Sequence, residues 1–417
     1  MHSETVPRDR AQALRRLGQG STDPGSQPTR AALVAALEAW PTDLEIVTQA
    51  THALIQMAAR RPRDEPALQD GPAELVLGAL ARLEESWDGA APWPVELVMR
   101  RACALSRVAV DRDADAQQAF ERARAAAPAD AELAIEHARF HAWRGRFEPA
   151  LEAARDAAAL APESRQAQSL RATYATALGR GAEAVEAWLA LGLPAHVRAG
   201  SGMPEVEGLP AARVRVPARG GAPLGLSHLP ENAAAFELLS VAPLSPAHGV
   251  IQSASLLDAV VDYGDVVLWE PVPVAVTQAQ GQSVPCFPLL EVLRRGDELR
   301  LRILILSPAD DGDVEARIHR ALADSARLAI HMRRSSGRQQ LLLGKLLVPA
   351  GAAGSGLIDA LTTLGSTESL AISCPGLYER FADSARAGKE HKAWLALERR
   401  AERHGLLPRV EAEESKP

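Results

Sequence analysis

The sequence predicts an α+β multidomain protein, an all-α helical solenoid followed by a mixed α+β domain, and three observations carry that reading. Blocks of 34 residues repeat: Ala104, Ala116, Ala123 and Pro128 in 97–130 recur as Ala138, Ala150, Ala157 and Pro162 in 131–164, and Ala172, Gly179 and Ala184 continue the register after Arg165. Glycine and proline then crowd the stretch from Leu193 to Pro230. Beyond it, short apolar and β-branched runs replace helical spacing.

Taken in order, residues 1–29 read as a flexible leader, rich in Gly, Ser, Thr, Pro and Gln from Gly18 to Pro28, with a short helix over Arg10 to Leu17. From Arg30 to about Arg61, Leu33, Val34, Leu37, Leu44, Val47, Leu54 and Met57 fall at helical spacing around a break at Pro41. Pro62 ends this pair as Pro128 and Pro162 end the later ones, which reads as a degenerate first repeat. A further helix runs from Ala73 to Trp87, and Pro92 and Pro94 separate it from the well-formed blocks 97–130, 131–164 and 165–198. The solenoid therefore spans 30–198, and a Gly/Pro-rich linker fills 199–230.

Residues 231–405 form the mixed α+β domain. Strands are expected at Phe236 to Val241, Gly249 to Gln252, Val266 to Trp269 and Pro273 to Val276, and Leu290 to Val292 with Leu299 to Leu306 reads as a hairpin turning at Arg295-Gly296-Asp297. Helices at Val314 to Ala323 and Gly356 to Leu364 interleave with strands at Leu328 to Met332, Gln340 to Leu347 and Ser369 to Ser373. Tyr378 to Arg403 is mainly helical and Gly405 caps it, leaving 406–417 as an acidic, disordered tail.

Composition narrows the function classes. The 417 residues carry a net charge of -7 spread over both halves, so no basic face advertises nucleic acid. Three scattered cysteines, Cys103, Cys286 and Cys374, make neither a disulfide framework nor a four-cysteine zinc site, as expected of a reduced cytoplasm. The polar N-terminus is no secretory signal, and no apolar run is long enough for a membrane span. Abundant alanine and arginine against four lysines read as the bias of a GC-rich bacterial genome.

The 34-residue period, with small residues where paired helices touch and a proline where the pair ends, resembles the tetratricopeptide repeat (TPR). The resemblance implies two antiparallel helices per repeat, packed closely at Ala104, Ala116 and Ala123, then Ala138, Ala150 and Ala157. It also implies a ligand groove lined by the first helices. Carried over position by position, the groove receives Val98, Arg101, Leu105 and Val108, then Glu132, Ile135, Arg139 and Trp143, then Gln166, Ser169, Thr173 and Thr176. Arg101, Glu132, Arg139, Trp143, Gln166 and Thr173 are the expected partner-binding residues, because arginine offers a fork to carboxylates and tryptophan a large rigid face. Leu105, Ile135 and Thr173 stand where the family's carboxylate-clamp members carry Lys and Asn, so a chaperone C-terminal peptide is not implied.

Several residues have the types that chemistry requires, without the motif. His137 and His141 share a helix face at a metal-compatible spacing, but occupy core positions of the repeat and read as a packed pair. Cys374 and Arg380 meet the bare cysteine-five-arginine spacing of cysteine-dependent phosphatases, yet Glu379 would sit against the phosphate and Ser373 and Phe381 replace the usual histidine and hydroxyl. Asp310, Asp311 and Asp313 after an apolar strand could hold Mg²⁺ and read better as helix caps. His248, Asp258, Asp262, Asp265 and Glu270 could supply an acid and a base, with Asp262 to Asp265 reading as a turn. Cys286, between Pro285 and Phe287, reads as a buried structural thiol.

The expected function is a non-catalytic protein-protein interaction adaptor or scaffold subunit, cytoplasmic and able to serve as one subunit of a larger complex, that holds a protein or peptide on the concave face of the solenoid. No cofactor, metal, nucleic acid or membrane is implied. The alternative is an enzyme whose catalytic domain is 205–417 and whose repeats recruit its substrate.

Overall fold

The computed structural model describes residues 9–18, 30–57, 71–89, 91–218, 226, 236–256, 259–279, 281–309, 313–367 and 370–407. The chain divides into two compact units, Met1–Pro204 and Glu205–Pro417. Much of the expected leader and nearly all of the acidic tail lie outside the described residues, as do Asp258, Asp310 and Asp311.

The first unit is helical: α1 (Arg10–Gly18), α2 (Arg30–Ala39), α3 (Leu44–Met57), α4 (Pro72–Glu85), α5 (Val95–Val108), α6 (Asp113–Ala126), α7 (Ala131–Ala142), α8 (Phe147–Leu160), α9 (Arg165–Ala177) and α10 (Gly181–Ala190). The starts of α6, α8 and α10 are 34 residues apart, and so are those of α7 and α9, so the sequence period is the period of the helices. Its physical basis is repeated in detail. Asp130 and Ser164 cap α7 and α9 by accepting from the backbone N–H groups of Leu133 and Ala167. Gly145 and Gly179 take positive φ, +66° and +70°, at the turn inside each pair, where a side chain would be strained. Ala104, Ala116, Ala123, Ala138, Ala150, Ala157, Ala172 and Ala184 are all wholly buried, because the helices approach too closely for anything larger.

Consecutive first helices lie against one another, α3 with α5, α5 with α7 and α7 with α9, which makes them the inner layer of the stack. On the other layer, Arg124 reaches Asp156 at 2.6 Å and Arg155 reaches Glu183 at 2.6 Å, bridging successive second helices. Such exposed pairs contribute about 0–1 kcal/mol each. The degenerate early repeat differs from expectation: α3 packs on α4 as well as on α2, and it lines up with α5.

β1 (Ala195–Val197) and β2 (Pro204–Val206) form a two-stranded ribbon. The expected linker thus contains ordered strands, including β3 (Ala212–Pro217), whose alternating Val214 and Val216 are fully buried.

The second unit holds two sheets. The first combines β3 with β4 (Phe236–Ser245), β5 (His248–Ile251), β6 (Val266–Trp269), β7 (Ala275–Ala279) and β8 (Gln282–Arg294). Its order is β3-β4-β5-β6-β8-β7, and a parallel pairing of β3 with β8 closes it into a small barrel. Val214, Leu239, Ile251, Val267 and Trp269 fill the interior. The second sheet, in the order β10-β11-β9-β12, uses β9 (Leu299–Pro308), β10 (Arg327–Ser335), β11 (Gln339–Val348) and β12 (Ala371–Ser373). Four helices accompany it: α11 (Val314–Leu322), α12 (Gly354–Thr367), α13 (Pro375–Phe381) and α14 (Ser384–Arg403).

Both faces of this sheet are covered at its centre, where β9 and β11 carry the apolar runs Ile303–Leu306 and Leu341–Leu343, while the edge strand β10 is mixed and partly exposed. Ile303 and Ile305 face α11 and α12 through Ile318, Leu322, Leu357 and Leu361, while Leu304 and Leu306 face Trp394 and Ala401 of α14. Gly405, at φ +69°, ends α14 as expected.

The expected hairpin of Leu290–Val292 with Leu299–Leu306 does not form. β8 stays in the barrel, and β9 pairs with β11 and β12 in the other sheet. The cause is Asp265, wholly buried, whose Oδ1 accepts from the Gly296 N–H at 2.8 Å and Arg300 Nη2 at 2.6 Å, and whose Oδ2 accepts from Arg295 Nη1 at 2.9 Å and the Asp262 N–H at 3.0 Å. Three of these bonds pin residues 295–300 onto the turn before β6, the fourth closes the turn itself, and no simple reversal is left. A second link joins barrel and sheet: Lys345 on β11, also buried, donates to Asp262 Oδ2 at 2.5 Å and Ser255 Oγ at 2.9 Å. Among the described residues no helix is long and apolar enough to cross a membrane.

Asp265→Ala empties a wholly buried site and takes from Arg300, Arg295 and the Gly296 N–H their shared acceptor, so it should lower the unfolding free energy by about 2–4 kcal/mol in urea titration followed by tryptophan fluorescence. A loss under about 1 kcal/mol would remove Asp265 from this role.

Candidate functional site

The site is centred on α7. Helical spacing sets Glu132, Glu136, Arg139 and Trp143 along one side of it, toward α5 and α9. Glu136 is the centre of a polar line: its Oε2 accepts from Arg107 Nη2 at 3.0 Å, its Oε1 from Arg139 Nη1 at 2.9 Å, and the Cys103 thiol lies 3.5 Å away. Arg107, on α5, also donates to the carbonyl of Ile55 in the last turn of α3. Gln166, on α9, stands beside Arg139, and with its amide flipped to satisfy both ends its oxygen accepts from Nη1 at 2.8 Å and Nη2 at 3.2 Å. One hydrogen-bonded line therefore runs across the inner layer from α3 to α9.

Beside it lies a narrow slot, a crevice of about 10 Å³ with room for about one water, lined by Ser106, Arg107, Glu136, Arg139, Phe140, Trp143 and Arg144. Arg144 is locked by its own bonds, to both Asp113 carboxylate oxygens at 2.9 and 3.0 Å and to the Ser106 carbonyl at 2.7 Å. Arg146 stacks its guanidinium 4.7 Å from the Phe140 ring centre. Three guanidinium groups against two carboxylates, Glu136 and Asp113, leave the crevice a modest positive potential, and Phe140 with Trp143 lines it with aromatic residues.

The expected binding residues divide. Glu132 is exposed at the start of α7, Trp143 is half-buried on the slot, and Gln166 is half-buried on α9. Arg139 lines the slot but is 6% exposed and spends its guanidinium on Glu136 and Gln166. Arg101 lies elsewhere, paired with Glu84 at 2.5 Å and set over Trp93. Thr173 is wholly buried and returns its hydroxyl to the Ser169 carbonyl at 2.7 Å, so it belongs to the helix packing and not to the face. Arg107, Glu136 and Arg144 were missed, because carrying the family's groove over by position passes the sixth, eleventh and fourteenth places of the repeat.

His137 and His141 form the expected core pair. Their rings lie 4.5 Å apart and pack with Phe120 and Phe140. Burial lowers His137 to about 4 and His141 to about 3, with Arg124 and Arg146 adding repulsion to the first and His137 to the second. Both are neutral at neutral pH. Among the described residues no group of three or more His, Cys, Asp or Glu is placed to hold a metal.

In the second unit each described candidate is occupied by the fold. Burial pushes the Cys374 thiol up to about 12, the opposite of what a nucleophile needs, and its backbone N–H is held by Glu390 at 2.9 Å. His248 is wholly enclosed with Nδ1 2.6 Å from Ser245 Oγ, Asp262 holds Lys345, and Asp265 anchors the turn already described. Cys286 and Glu270 are buried, and Asp313 caps α11.

No protein-family model matches the chain, and no curated protein matches its sequence. Solved structures similar to it include TTC0263, a thermophilic TPR protein of Thermus thermophilus, at 20% identity over 43% of this chain and 89% of that one, TM-score 0.33. MamA is another, at 17% identity over 45% of this chain and 95% of that one, TM-score 0.32. The helical part of this chain is TPR-like, as the 34-residue spacing of its own helices shows.

The histidine pair makes stability depend on pH. Both folded-state values lie below the ordinary 6.5, so as pH falls the unfolded chain takes up protons first, and stability that is complete above pH 6.5 is lost progressively down to about pH 3. Melting followed by circular dichroism should show the helical transition moving down from pH 7 to about pH 5, and His137→Leu with His141→Tyr should remove part of that drop. An equal drop in the double variant would contradict the assignment.

Proposed function

We propose that this protein is an interaction adaptor that holds a protein or peptide partner on the inner helix layer of its TPR-like unit. One observation carries the reading: Arg107, Arg139 and Arg144 converge with Phe140 and Trp143 on a single slot whose walls are fixed by Glu136 and Asp113. A wall held rigid before binding has little ordering cost left to meet. The crevice, about 10 Å³, admits no side chain, so the partner lies across its surface, where the positive potential and aromatic edge suit an acidic segment. Trp143, half-buried with its ring on the slot, is the anchor, and Glu132 at the exposed start of α7 selects against acidic residues at that end.

Arg139→Glu is a poor probe of binding. It would set a second carboxylate beside Glu136 in buried surroundings and collapse the wall itself. Trp143→Ala and Glu132→Lys act at the surface instead. In affinity capture from the native host read by mass spectrometry, Trp143→Ala should lose at least about 2 kcal/mol of binding to the principal partner, enough to remove it from the eluate, at an unchanged melting temperature. Glu132→Lys should alter capture in a salt-dependent way. Retention of the same partners by Trp143→Ala would overturn the assignment.

A further inference from the structure

The second unit carries a groove that none of the above uses. α14 packs Trp394, Glu398 and Ala401 against the β9–β11 face, and the adjoining side of the same helix is one wall of an open groove of about 540 Å³. α12 forms the facing wall with Leu361 and Gly365, and β12 lies at its floor with Ala371 and Ile372. β12 stands at the end of its sheet with β9 as its ladder partner, so its far edge turns into the groove.

Small residues set the width. Ala393 and Ala396 line the α14 wall, and on α12 a Cβ added to Gly365 would come within 3.3 Å of the Leu370 carbonyl. The charge is one-sided. Arg400 and Arg403 stand exposed at one end, Arg400 with a 3.3 Å bond to Gln339 Oε1. The carboxylate in the lining, Glu390, is turned into the fold, where it accepts from Ser373 Oγ at 2.7 Å and the Cys374 N–H at 2.9 Å. The groove therefore combines an apolar channel, a strand edge and a cationic end.

We propose that this groove binds a short extended peptide that adds as a strand beside β12, with apolar side chains in the channel and its C-terminal carboxylate on Arg400 and Arg403. A strand edge offers backbone donors and acceptors at the repeat of a peptide chain, which a peptide matches and a simple amphiphile does not. Guanidinium pairs are the side chains best shaped for a terminal carboxylate. The volume lies within the range of ligand pockets, about 300–1,000 Å³. This site is separate from the inner-layer slot, so either reading stands if the other fails.

The test pans a random heptapeptide library with free C-termini on the full-length protein, then measures synthetic peptides by fluorescence anisotropy. Enriched sequences should end in apolar residues, and C-terminal amidation should weaken binding about tenfold. Arg400→Glu with Arg403→Glu should cost as much as amidation, and Ala393→Trp, which fills the channel, should abolish binding. The two arginines are exposed, so their variant keeps the test decisive if Ala393→Trp does not fold. The absence of any enriched sequence, equal binding of amidated peptides, or indifference to the charge reversal would overturn the proposal. So would displacement of decanoate alone, which would make the groove a site for small amphiphiles.

Discussion

Glu136 has 12% of its side chain in water and a guanidinium on each oxygen, one from the preceding inner helix and one from its own. Two charges taken out of water cost several kcal/mol each, and geometry this close is what offsets the cost. The ion pairs add little net stability against an apolar alternative, but removing one partner leaves a buried charge and costs about 3–5 kcal/mol. Register is what the arrangement imposes. Arg107 can reach both the Ile55 carbonyl and Glu136 only if α3, α5 and α7 keep their spacing, and Gln166 extends the same requirement to α9. The slot beside Trp143 is a by-product of that spacing, and its excess of guanidinium groups is its electrostatic character.

The second unit solves a different problem by the same means. A small barrel and a helix-covered sheet must be held together, and the join is polar: Asp265 with Arg295 and Arg300, and Lys345 with Asp262 and Ser255. Every oxygen of Asp265 is satisfied twice, which is what lets a wholly enclosed carboxylate persist. This join redirects the chain after β8 away from its nearest sequence neighbour, and it frees β9 to take the centre of the second sheet between β11 and β12.

Legibility in the sequence follows the range of the forces. The helix period was readable because it is written in local terms: alanines at the contacts, glycines at positive φ, Asp130 and Ser164 as caps. Most strands were readable within a few residues, since β6 is an uninterrupted apolar run and β11 is one broken only at Gly344 and Lys345 after its two leading glutamines. The false hairpin shows where local reading ends. Arg295-Gly296-Asp297 has the composition of a tight turn, and only a carboxylate about thirty residues earlier shows that the turn belongs to another contact. The site divides the same way. Position in the repeat sets Trp143 and Arg139 on the crevice, Thr173 is buried because burial depends on neighbouring helices, and Glu136 stands out only with Arg107 beside it.

The most direct measurement is hydrogen–deuterium exchange of the full-length protein alone and with its captured partner. Binding on the inner layer predicts slower exchange in α5, α7 and α9 around the slot, with α6, α8 and α10 unchanged. Protection confined to the second helices, or to the second unit alone, would contradict it.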